Sequence, residues 1–437
     1  MKQVFEQHLQ TNFPGLLQSK ILVAVSGGLD SVVLTHLCYS LKLNFALAHC
    51  NFRLRQKESE TDEYFVKNLA KKLDVTCYTK TFETSKYAKE RNQSTQVAAR
   101  NLRYNWFEEL LGENDYKYVL TGHHLDDNLE TFLINFTRGT GISGLTGIPE
   151  KKGQILRPLL PFSRKQIEKY AQSQFLEWRT DSSNSSDVYL RNRIRHHIIP
   201  VLKAENPSLL KSFQKTQDHL KQAEELNADY SKLLWNEITN QKNADEYHLS
   251  IEKIRDQSHP KAILYQLLKD FGFTQWQDIY NLLQAQSGKE IFSKTHRLIK
   301  DREVLILTQQ NSQNNQAIKI YKNDRKILFP DGQLFLESVT QVTKKKDKIA
   351  YIAAEKIRFP LLLRKLKTGD RFQPFGMKGS KKISDFLIDK KFSLLEKEKT
   401  WILESQGEII WVVGHRIDER FKVENSDPEI LKISLEL

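Results

Sequence analysis

A glycine turn between an apolar run and a helical run constrains this chain more than any of its other segments. The turn reads Ser26-Gly27-Gly28-Leu29-Asp30-Ser31, after the apolar residues 21–25 and before Val32-Val33-Leu34. Adjacent glycines allow successive backbone N–H groups to converge on an anion. The start of the following helix adds its positive end, and Ser26 and Ser31 add hydroxyl donors. The turn therefore predicts a phosphate-binding loop at the carboxyl end of a buried strand.

The loop differs from two common nucleotide-binding patterns. It lacks the Gly-Lys-Ser/Thr ending of a P-loop kinase and the third glycine of a dinucleotide fingerprint. The carboxylate of Asp30 would repel phosphate unless a cation lay between them, so we expect Asp30 to bind Mg²⁺ beside a pyrophosphate group. The alternative is a glycine turn in which Asp30 and Ser31 merely cap the helix.

The segment resembles the loop of the ATP-pyrophosphatase, or PP-loop, family. Members of this family cleave ATP between its α and β phosphates and activate a carbonyl oxygen as its adenylate. Amidotransferase-type synthetases, tRNA thiolases and tRNA lysidine synthetases all share the loop. The acceptor substrate therefore has to be inferred from residues further along the chain.

Size, charge and cysteine content narrow the class of protein. A chain of 437 residues is long enough for two or three domains, and 67 Lys and Arg against 54 Asp and Glu favour an anionic partner such as nucleic acid. Its three cysteines include no Cys-x-x-Cys pair, which argues against a disulfide framework, a zinc ribbon or an iron–sulfur site. The first 20 residues contain no continuous apolar segment, so we expect a cytoplasmic protein with no membrane partner.

Residues 21 to about 122 alternate between short β-rich runs and longer helical runs, which is typical of a doubly wound, mostly parallel α/β sheet. We predict strands at 21–25, 44–49, 75–79 and 117–121, and helices at 30–42, 59–73 and 94–112. Ligands bind at the carboxyl ends of such strands. The loops at 26–31, 49–55 and 121–127 should therefore meet at one crevice.

The remainder of the chain predicts two further domains. Helices are expected at 162–175 and at 189–202, the second ending near Pro200. Apolar residues at helical spacing over 208–240 and 260–286 predict a helical domain. The Gln- and Asn-rich residues 309–316 predict a linker, and the short alternating runs after them predict a small α+β domain. The predicted domains are 1–207, which includes a helical linker, 208–310 and 317–437.

Residues 121–131 leave a predicted strand and open a helix, and they carry two acids on one helical face. Asp127 and Glu130 are three residues apart. Beside an ATP site these carboxylates could orient a cationic amine, accept its proton, or share the metal with Asp30. In the alternative, Asp127 is only the helix N-cap and Glu130 its capping-box partner. His123 and His124 lack further ligands at metal-site spacing, so we do not expect a zinc site.

Arg100 and Arg103 share a face of the helix predicted at 94–112. Planar guanidinium groups suit phosphate oxygens and the negative charge that develops during adenylyl transfer, so both are candidate catalytic residues. A solvated helix face is the alternative.

Taken in order along the chain, these motifs resemble the tRNA(Ile)-lysidine synthetase family. The segments that carry the resemblance are 26–31, 48–55, 98–104, 122–131, 138–145, 157–160, 178–184, 189–196, 371–377 and 381–386. The resemblance covers most of the chain and is weakest over about 208–310. It adds His49 and Asn51, which follow the second strand, to the predicted ATP-binding residues.

The resemblance implies a two-step reaction. ATP would adenylate the carbonyl oxygen at carbon 2 of the wobble cytidine in a tRNA(Ile) with a CAU anticodon, and the ε-amine of L-lysine would then displace AMP to give lysidine. The modified base changes the codon read from AUG to AUA. The glycine loop and Asp30 with Mg²⁺ would bind the pyrophosphate, arginine would steady the adenylate, and Asp127 with Glu130 would hold the lysine amine.

Two basic clusters are candidate tRNA contacts. Arg191 and Arg195 have helical spacing, and Lys378, Lys381 and Lys382 flank a Gly-Ser turn in the last domain. Each cluster could instead be a solvated surface. A tRNA thiolase, which needs cysteines or an iron–sulfur cluster, and a non-catalytic RNA-binding protein are the alternative functions, and a homodimer is compatible with the sequence.

Overall fold

The structure is a computed structural model that describes residues 1–54, 57–180, 190–310, 316–343, 348–425 and 427–436. The chain forms two units, Met1–Ala228 and Asp229–Leu437. No helix among the described residues has both the length and the apolar character that crossing a membrane requires.

The first unit alternates strands and helices. Its strands are β1 (Ile21–Ala24), β2 (Phe45–Asn51), β3 (Cys77–Thr81), β4 (Tyr118–Leu120), β5 (Lys151–Lys152) and β6 (Ile155–Leu156). Its helices are α1 (Lys2–Asn12), α2 (Leu29–Ser40), α3 (Lys57–Leu73), α4 (Thr84–Glu90), α5 (Thr95–Asn114), α6 (Leu125–Thr137), α7 (Ile142–Leu145), α8 (Arg164–Ser173), α9 (Leu190–Arg193) and α10 (Ile199–Glu205). The long helix α11 (Leu209–Ile238) follows.

The strands of the first unit form one sheet in the order β3-β2-β1-β4-β6-β5. Every neighbouring pair is parallel except β5 and β6. The chain winds outward from β1 to β3 and then returns to place β4 on the other side of β1. This reversal between β1 and β4 is a topological switch point, where open α/β sheets bind ligands. The predicted doubly wound sheet is confirmed.

Both faces of this sheet are covered by helices, as a parallel sheet requires. Successive strand residues point to opposite faces, so Ile21 and Val23 enter one hydrophobic core and Leu22 enters another. The first core includes residues of α1, α2, α3 and α8, and the second includes Trp106, Phe107 and further residues of α5. The buried helical layers hold the strand ends, and thus the loops that follow them, in fixed positions.

The helix predicted to end near Pro200 continues beyond it. A π-helical turn, Ile194–Ile198, joins α9 to α10, and Pro200 lies in the first turn of α10. Proline is accepted there because a backbone N–H in the first turn has no helical partner to lose. The prediction of a helix end at Pro200 is therefore wrong, while the start predicted at Tyr189 lies outside the described residues.

The second unit consists largely of antiparallel strands. They are β7 (Thr239–Asn243), β8 (Glu246–Ser250), β9 (Glu290–Phe292), β10 (His296–Asp301), β11 (Val304–Gln309), β12 (Ile318–Ile320), β13 (Lys326–Phe329), β14 (Gly332–Val339), β15 (Ile349–Ala353), β16 (Leu361–Lys365), β17 (Arg371–Phe372), β18 (Lys381–Lys382), β19 (Trp401–Ser405), β20 (Glu408–Val412), β21 (Arg416–Ile417) and β22 (Ile430–Glu436). The helices are α12 (Ile251–Arg255), α13 (Pro260–Leu268), α14 (Trp276–Leu282), α15 (Ile383–Asp389) and α16 (Leu394–Lys399).

The segment predicted as a helical domain contains a sheet as well as helices. Strands β7-β8-β11-β10-β9 form an antiparallel sheet that packs with α12, α13 and α14 around one core. The helices were predicted, but the strands were missed for two reasons. Strand β7 is polar and mostly exposed, so it shows no apolar alternation. Strands β10 and β11 carry short continuous apolar runs, whose periodicity does not distinguish strand from helix.

The last part of the chain forms two antiparallel sheets, β12-β16-β19-β20-β21 and β13-β14-β22-β15. Their facing residues share one buried core that includes Trp411, Leu363 and Ile433. Together with α15 and α16 they form the predicted α+β region. The predicted linker at 309–316 lies largely outside the described residues, and the boundaries 1–207, 208–310 and 317–437 stay a proposal.

Candidate active site

The loops that follow β1 and β4 approach each other closely at Gly122. A Cβ atom on Gly122 would lie 3.1 Å from the backbone carbon of Asp30 and 3.1 Å from the backbone nitrogen of Ser31. Both contacts are shorter than Cβ atoms normally make, and backbone atoms cannot swing aside as a flexible side chain can. Glycine at this position therefore lets the two loops border one site at the switch point.

The phosphate-binding loop is held by its own serine hydroxyls. Gly27 has φ of +90°, a conformation that favours glycine. The Ser26 hydroxyl accepts from the Gly28 N–H at 3.3 Å, and the Ser31 hydroxyl donates to the Gly28 carbonyl at 2.9 Å. Leu29 is buried in the core beneath the loop, so only its backbone faces a ligand. The conformation suits an anion at the start of α2.

A buried imidazole joins this loop to the acidic start of α6. His124 is 3% exposed, and its Nε2 lies 3.7 Å from Asp30 Oδ1 and 3.5 Å from Asp127 Oδ2. Asp127 Oδ2 also accepts the backbone N–H of His124 at 3.1 Å. The N-cap of α6 is His124 and Asp127 is its capping-box partner, so the alternative with Asp127 as N-cap and Glu130 as its partner is wrong. Asp30 and Asp127 lie on the same side of the sheet.

Asp30 has one carboxylate oxygen available to a cation. Its Oδ2 accepts from Arg164, whereas its Oδ1 is buried and has no hydrogen-bond partner among the described residues. Burial raises the pKa of Asp30, although His124 and Arg164 oppose the shift. An unpartnered buried carboxylate oxygen fits Mg²⁺, which accepts one or two protein carboxylates and completes its shell with phosphate and water. The described residues contain no cluster of three His, Cys, Asp or Glu that could hold a metal by itself.

The two predicted catalytic acids meet Arg195 rather than solvent. Arg195 Nε donates to Glu130 Oε1 at 2.6 Å, and Arg195 Nη2 donates to Glu130 Oε2 at 3.0 Å and to Asp127 Oδ1 at 3.3 Å. Burial raises the pKa of Glu130, which is only 1% exposed. Burial also tends to raise the pKa of Asp127. The neighbouring histidines, a backbone hydrogen bond and Arg195 outweigh burial, so the pKa of Asp127 is lowered. Divergent pKa values in adjacent acids are typical of catalytic sites.

Arg191 lies beside Arg195 at the same acidic turn. Its Nη2 donates to the Thr131 hydroxyl at 2.8 Å, and its Nε lies 3.6 Å from Glu130. Both arginines were predicted to contact tRNA. In this structure their guanidinium groups contact the acidic turn of α6, and their contact with tRNA stays a prediction.

Replacing Arg195 by methionine should destabilise the protein, and more strongly as the pH rises. Breaking a fully buried ion pair costs about 3–5 kcal/mol, and since the Arg195 side chain is 35% exposed we expect about 2 kcal/mol. Glu130 has a raised pKa in the folded state, so stability falls as the pH rises from its unfolded pKa through its folded pKa. Without Arg195 the pKa of Glu130 in the folded state is higher still, so the loss of stability continues to a higher pH.

The measurement is urea unfolding of both proteins at about pH 4, below the ordinary pKa of a glutamate, and at about pH 8. The free energies of unfolding of variant and wild type should differ more at the higher pH. Arg138→Met, at an exposed arginine that ends α6, is the matched control and should change stability by no more than about 0.5 kcal/mol at either pH. An equal difference in the free energy of unfolding at both pH values would contradict the role assigned to the ion pair.

His49 and Asn51, predicted as ATP ligands, hold the carboxyl end of β2. The His49 ring Nδ1 lies 2.8 Å from the Val25 carbonyl, and Asn51 donates to Glu63 at 2.8 Å. Both side chains are buried. They fix the strand end that borders the phosphate loop, and direct contact with ATP stays a prediction.

The two predicted catalytic arginines of α5 have different surroundings. The Arg103 guanidinium lies 5.2 Å from the ring centre of Phe52, and its charge acts on His123, whose pKa is lowered to about 4 mainly by burial. Arg100 is exposed and lies 5.0 Å from the ring centre of Tyr104. Of these two arginines, Arg103 is the one whose charge acts on His123, although Arg157 and Arg191 act on it more strongly.

Sequence reasoning missed several residues that shape the site. Asp126 accepts the Arg164 backbone N–H at 2.8 Å and Lys203 Nζ at 2.6 Å, so it ties α6 to α8 and α10. Asn128 accepts the Ile148 N–H at 2.7 Å and fixes the end of the glycine-containing loop at 138–148. The pair of adjacent aspartates at 126–127 was a sequence signal that could have identified Asp126. Partners 20 or more residues away along the chain left no local signal.

The predicted tRNA-binding lysines of the second unit lie around the short hairpin β17–β18. Lys381 forms an ion pair with Asp389, Lys382 precedes α15, and Lys378 is exposed in the turn before β18. Their contact with tRNA stays a prediction.

Comparison with known proteins gives consistent matches along the chain. Residues 1–202 match the family described as PP-loop domain, residues 241–310 the TilS substrate binding domain, and residues 361–435 the TilS substrate C-terminal domain. The chain is 40% identical over 420 residues to the tRNA(Ile)-lysidine synthase of Parabacteroides distasonis, with 95% of both chains covered. It is 32% identical over 441 residues to the protein of the same name from Bacillus subtilis, with 94% of this chain and 93% of that protein covered.

Similarity to solved structures is weaker. The U34-tRNA thiolase NcsA from Methanococcus maripaludis is 16% identical with a TM-score of 0.40, covering 50% of this chain and 78% of that one. A crystal structure of the TILS C-terminal domain is 19% identical with a TM-score of 0.26, covering 28% of this chain and 97% of that one. At these scores the structural likeness adds nothing to the match in sequence.

Proposed function

We propose an activity for this chain from the premise that it belongs to the tRNA(Ile)-lysidine synthase family. The proposed activity is that of an ATP-dependent ligase, which converts the wobble cytidine of a CAU-anticodon tRNA(Ile) to lysidine and releases pyrophosphate and AMP. The observation that carries the proposal is the placement of His124 between Asp30 and Asp127, which puts the phosphate loop and the acidic turn at one switch point.

In the first step the phosphate loop would bind ATP. The backbone N–H groups at residues 26–31 and the start of α2 would bind the pyrophosphate portion, and Asp30 Oδ1 would hold Mg²⁺. Mg²⁺ when bound would offset the negative charge of the phosphates. The carbonyl oxygen at carbon 2 of the cytidine would attack the α-phosphorus, and pyrophosphate would leave. Arg103 would steady the negative charge of the adenylate, with Arg100 as a second candidate.

In the second step the ε-nitrogen of L-lysine would attack carbon 2, and AMP would leave with the oxygen. We assign Asp127 an orienting role because its lowered pKa makes it a stable carboxylate and a weak base. Glu130, with its raised pKa, is the stronger proton acceptor, but Arg195 binds its two oxygens at 2.6 and 3.0 Å, whereas Arg195 reaches Asp127 only through one contact of 3.3 Å. Asp127 is therefore the carboxylate that would position the amine for attack.

The partners proposed for this reaction are L-lysine and tRNA(Ile), with Arg191, Arg195, Lys378, Lys381 and Lys382 as candidate tRNA contacts. A cytoplasmic location and a homodimer stay predictions. Thiolation is disfavoured by the cysteines: burial raises the pKa of Cys38 and of Cys50 to about 12, so neither thiol is a ready nucleophile.

Mass spectrometry of the anticodon nucleotide tests the function directly. After incubation with ATP, Mg²⁺, lysine and a CAU-anticodon tRNA(Ile) transcript, the wobble cytidine should gain one lysine, with one AMP released for each. A transcript with uridine at the wobble position and an Asp30→Asn variant are the controls, and both should give no product. Gain of sulfur, or release of AMP without tRNA, would overturn the proposal.

A further inference from the structure

A cavity of about 600 Å³ lies between α13 and α14 in the second unit. Its volume is in the range of pockets that bind small organic groups. Aromatic, amide and basic side chains line it, among them Tyr265, Trp276, Tyr280, Gln266, Lys261 and His259. The reaction proposed above makes no use of this cavity.

The aromatic rings of the cavity are held in place by the core behind them. Tyr265 and Trp276 meet edge to face, with ring centres 4.7 Å apart, and Tyr265 is 42% exposed. Neighbouring residues of the same helices, among them Leu267, Leu268 and Ile279, are buried in the core of the five-stranded sheet. The cavity therefore presents a partly exposed, pre-positioned aromatic surface.

Gln266 places an unsatisfied hydrogen-bond acceptor in the same wall. Its Oε1 is buried and has no hydrogen-bond partner among the described residues. A buried acceptor left in this state is unfavourable, and a rotation of the side chain toward the cavity would let a ligand N–H satisfy it. The aromatic surface and the acceptor together specify a flat, aromatic ligand group that carries an N–H donor.

We infer that this cavity binds an unpaired nucleobase of the tRNA substrate, an inference that rests on the proposed function. Each nucleobase is planar, stacks on tyrosine or tryptophan, and has an N–H that can donate to Gln266 Oε1. Lys261, exposed at the start of α13, can approach the phosphate attached to that nucleotide. Paired bases inside a duplex stem are stacked on both sides and present no free face, so the ligand is a nucleotide outside a helix.

Removal of the Tyr265 ring tests the inference. Tyr265→Ala should raise the KM for tRNA about tenfold or more, since base stacking on an aromatic ring has effects of this size. The kcat at saturating tRNA and the KM values for ATP and lysine should not change. Tyr265→Phe keeps the ring and is the matched control, which should retain the wild-type KM. Equal KM values in all three proteins would overturn the inference.

Gln266→Met separates a binding role from a structural one. Methionine is similar in length and removes the unpartnered acceptor, so stability should stay equal or increase. The KM for tRNA should still rise severalfold. A loss of stability with no change in KM would show that Gln266 serves only the fold.

Ultraviolet crosslinking identifies the ligand and keeps this test independent of catalysis. Irradiation of the full chain with tRNA, followed by trypsin, should give a nucleotide attached to the peptide 262–269 or 270–289. Crosslinks with free nucleoside monophosphates but not with tRNA would overturn the inference in favour of a nucleotide site, and absence of both would overturn it outright. If wild-type protein makes no lysidine, the proposed function fails, while the crosslink still reports on the cavity.

Discussion

Replacing Asp127 by asparagine should lower the rate of lysidine formation by about 10²-fold or more, because loss of the group that positions a reactant has effects of this size. In the proposed mechanism the carboxylate positions the ε-amine of lysine, and asparagine has no negative charge with which to do so. The adenylation step uses the phosphate loop and should be much less affected. Adenylated tRNA should therefore accumulate, and pyrophosphate release measured in a single turnover should stay near the wild-type rate.

Asp126→Asn is the matched control for this experiment. Asp126 is the adjacent acid, and its contacts are structural, with the start of α8 and with Lys203. Its loss should reduce stability and slow both steps together. If Asp127→Asn formed adenylated tRNA normally and also released lysidine at the wild-type rate, the assignment of Asp127 would be wrong.

Replacing Gly122 by alanine should reduce ATP-dependent pyrophosphate release by about tenfold, because the two loops must separate by a few tenths of an ångström and a displacement of roughly 1 Å costs about 10²-fold. The added Cβ would lie 3.1 Å from the backbone of both Asp30 and Ser31, so the phosphate loop must move away from β4. Overpacking of this kind should also lower the free energy of unfolding by about 1–3 kcal/mol. Both steps should slow, unlike the result expected for Asp127→Asn.

Gly112→Ala provides the matched control. Gly112 lies within α5 and has no atom within 4 Å of its added Cβ. Alanine should stabilise the helix by about 0.5–1 kcal/mol and leave the activity unchanged. Pyrophosphate release and urea unfolding of the three proteins measure both effects. Equal activity of Gly122→Ala and wild type would show that the two loops need no close approach.

The catalytic half of the fold was accessible from the sequence because its signals are local. Apolar runs of strand length alternate with helical runs, and the glycine turn falls between β1 and α2. The place of the acidic turn at the same switch point followed from its position at the end of β4. These inferences require only the knowledge of which strand each loop leaves.

The partners of the site residues were not accessible in the same way. Arg195 and Glu130 are 65 residues apart, and the spacing of Arg191 and Arg195 fits a tRNA surface as well as an internal ion pair. His124 carries no sequence signal for its position between Asp30 and Asp127. Strand β7 is extended because it pairs with β8, and its own polar residues do not predict a strand. Each of these depends on contacts between distant segments.

If Asp30 holds the metal of ATP and Asp127 the amine of lysine, as proposed above, the imidazole between the two carboxylates makes the two subsites thermodynamically interdependent. Neutralising Asp30 with a cation alters the field at His124 and, through it, at Asp127 less than 4 Å beyond. Linkage is reciprocal, so whatever factor ATP and its metal impose on the affinity for lysine, lysine must impose on the affinity for ATP. A single buried ring thus couples the two proposed subsites.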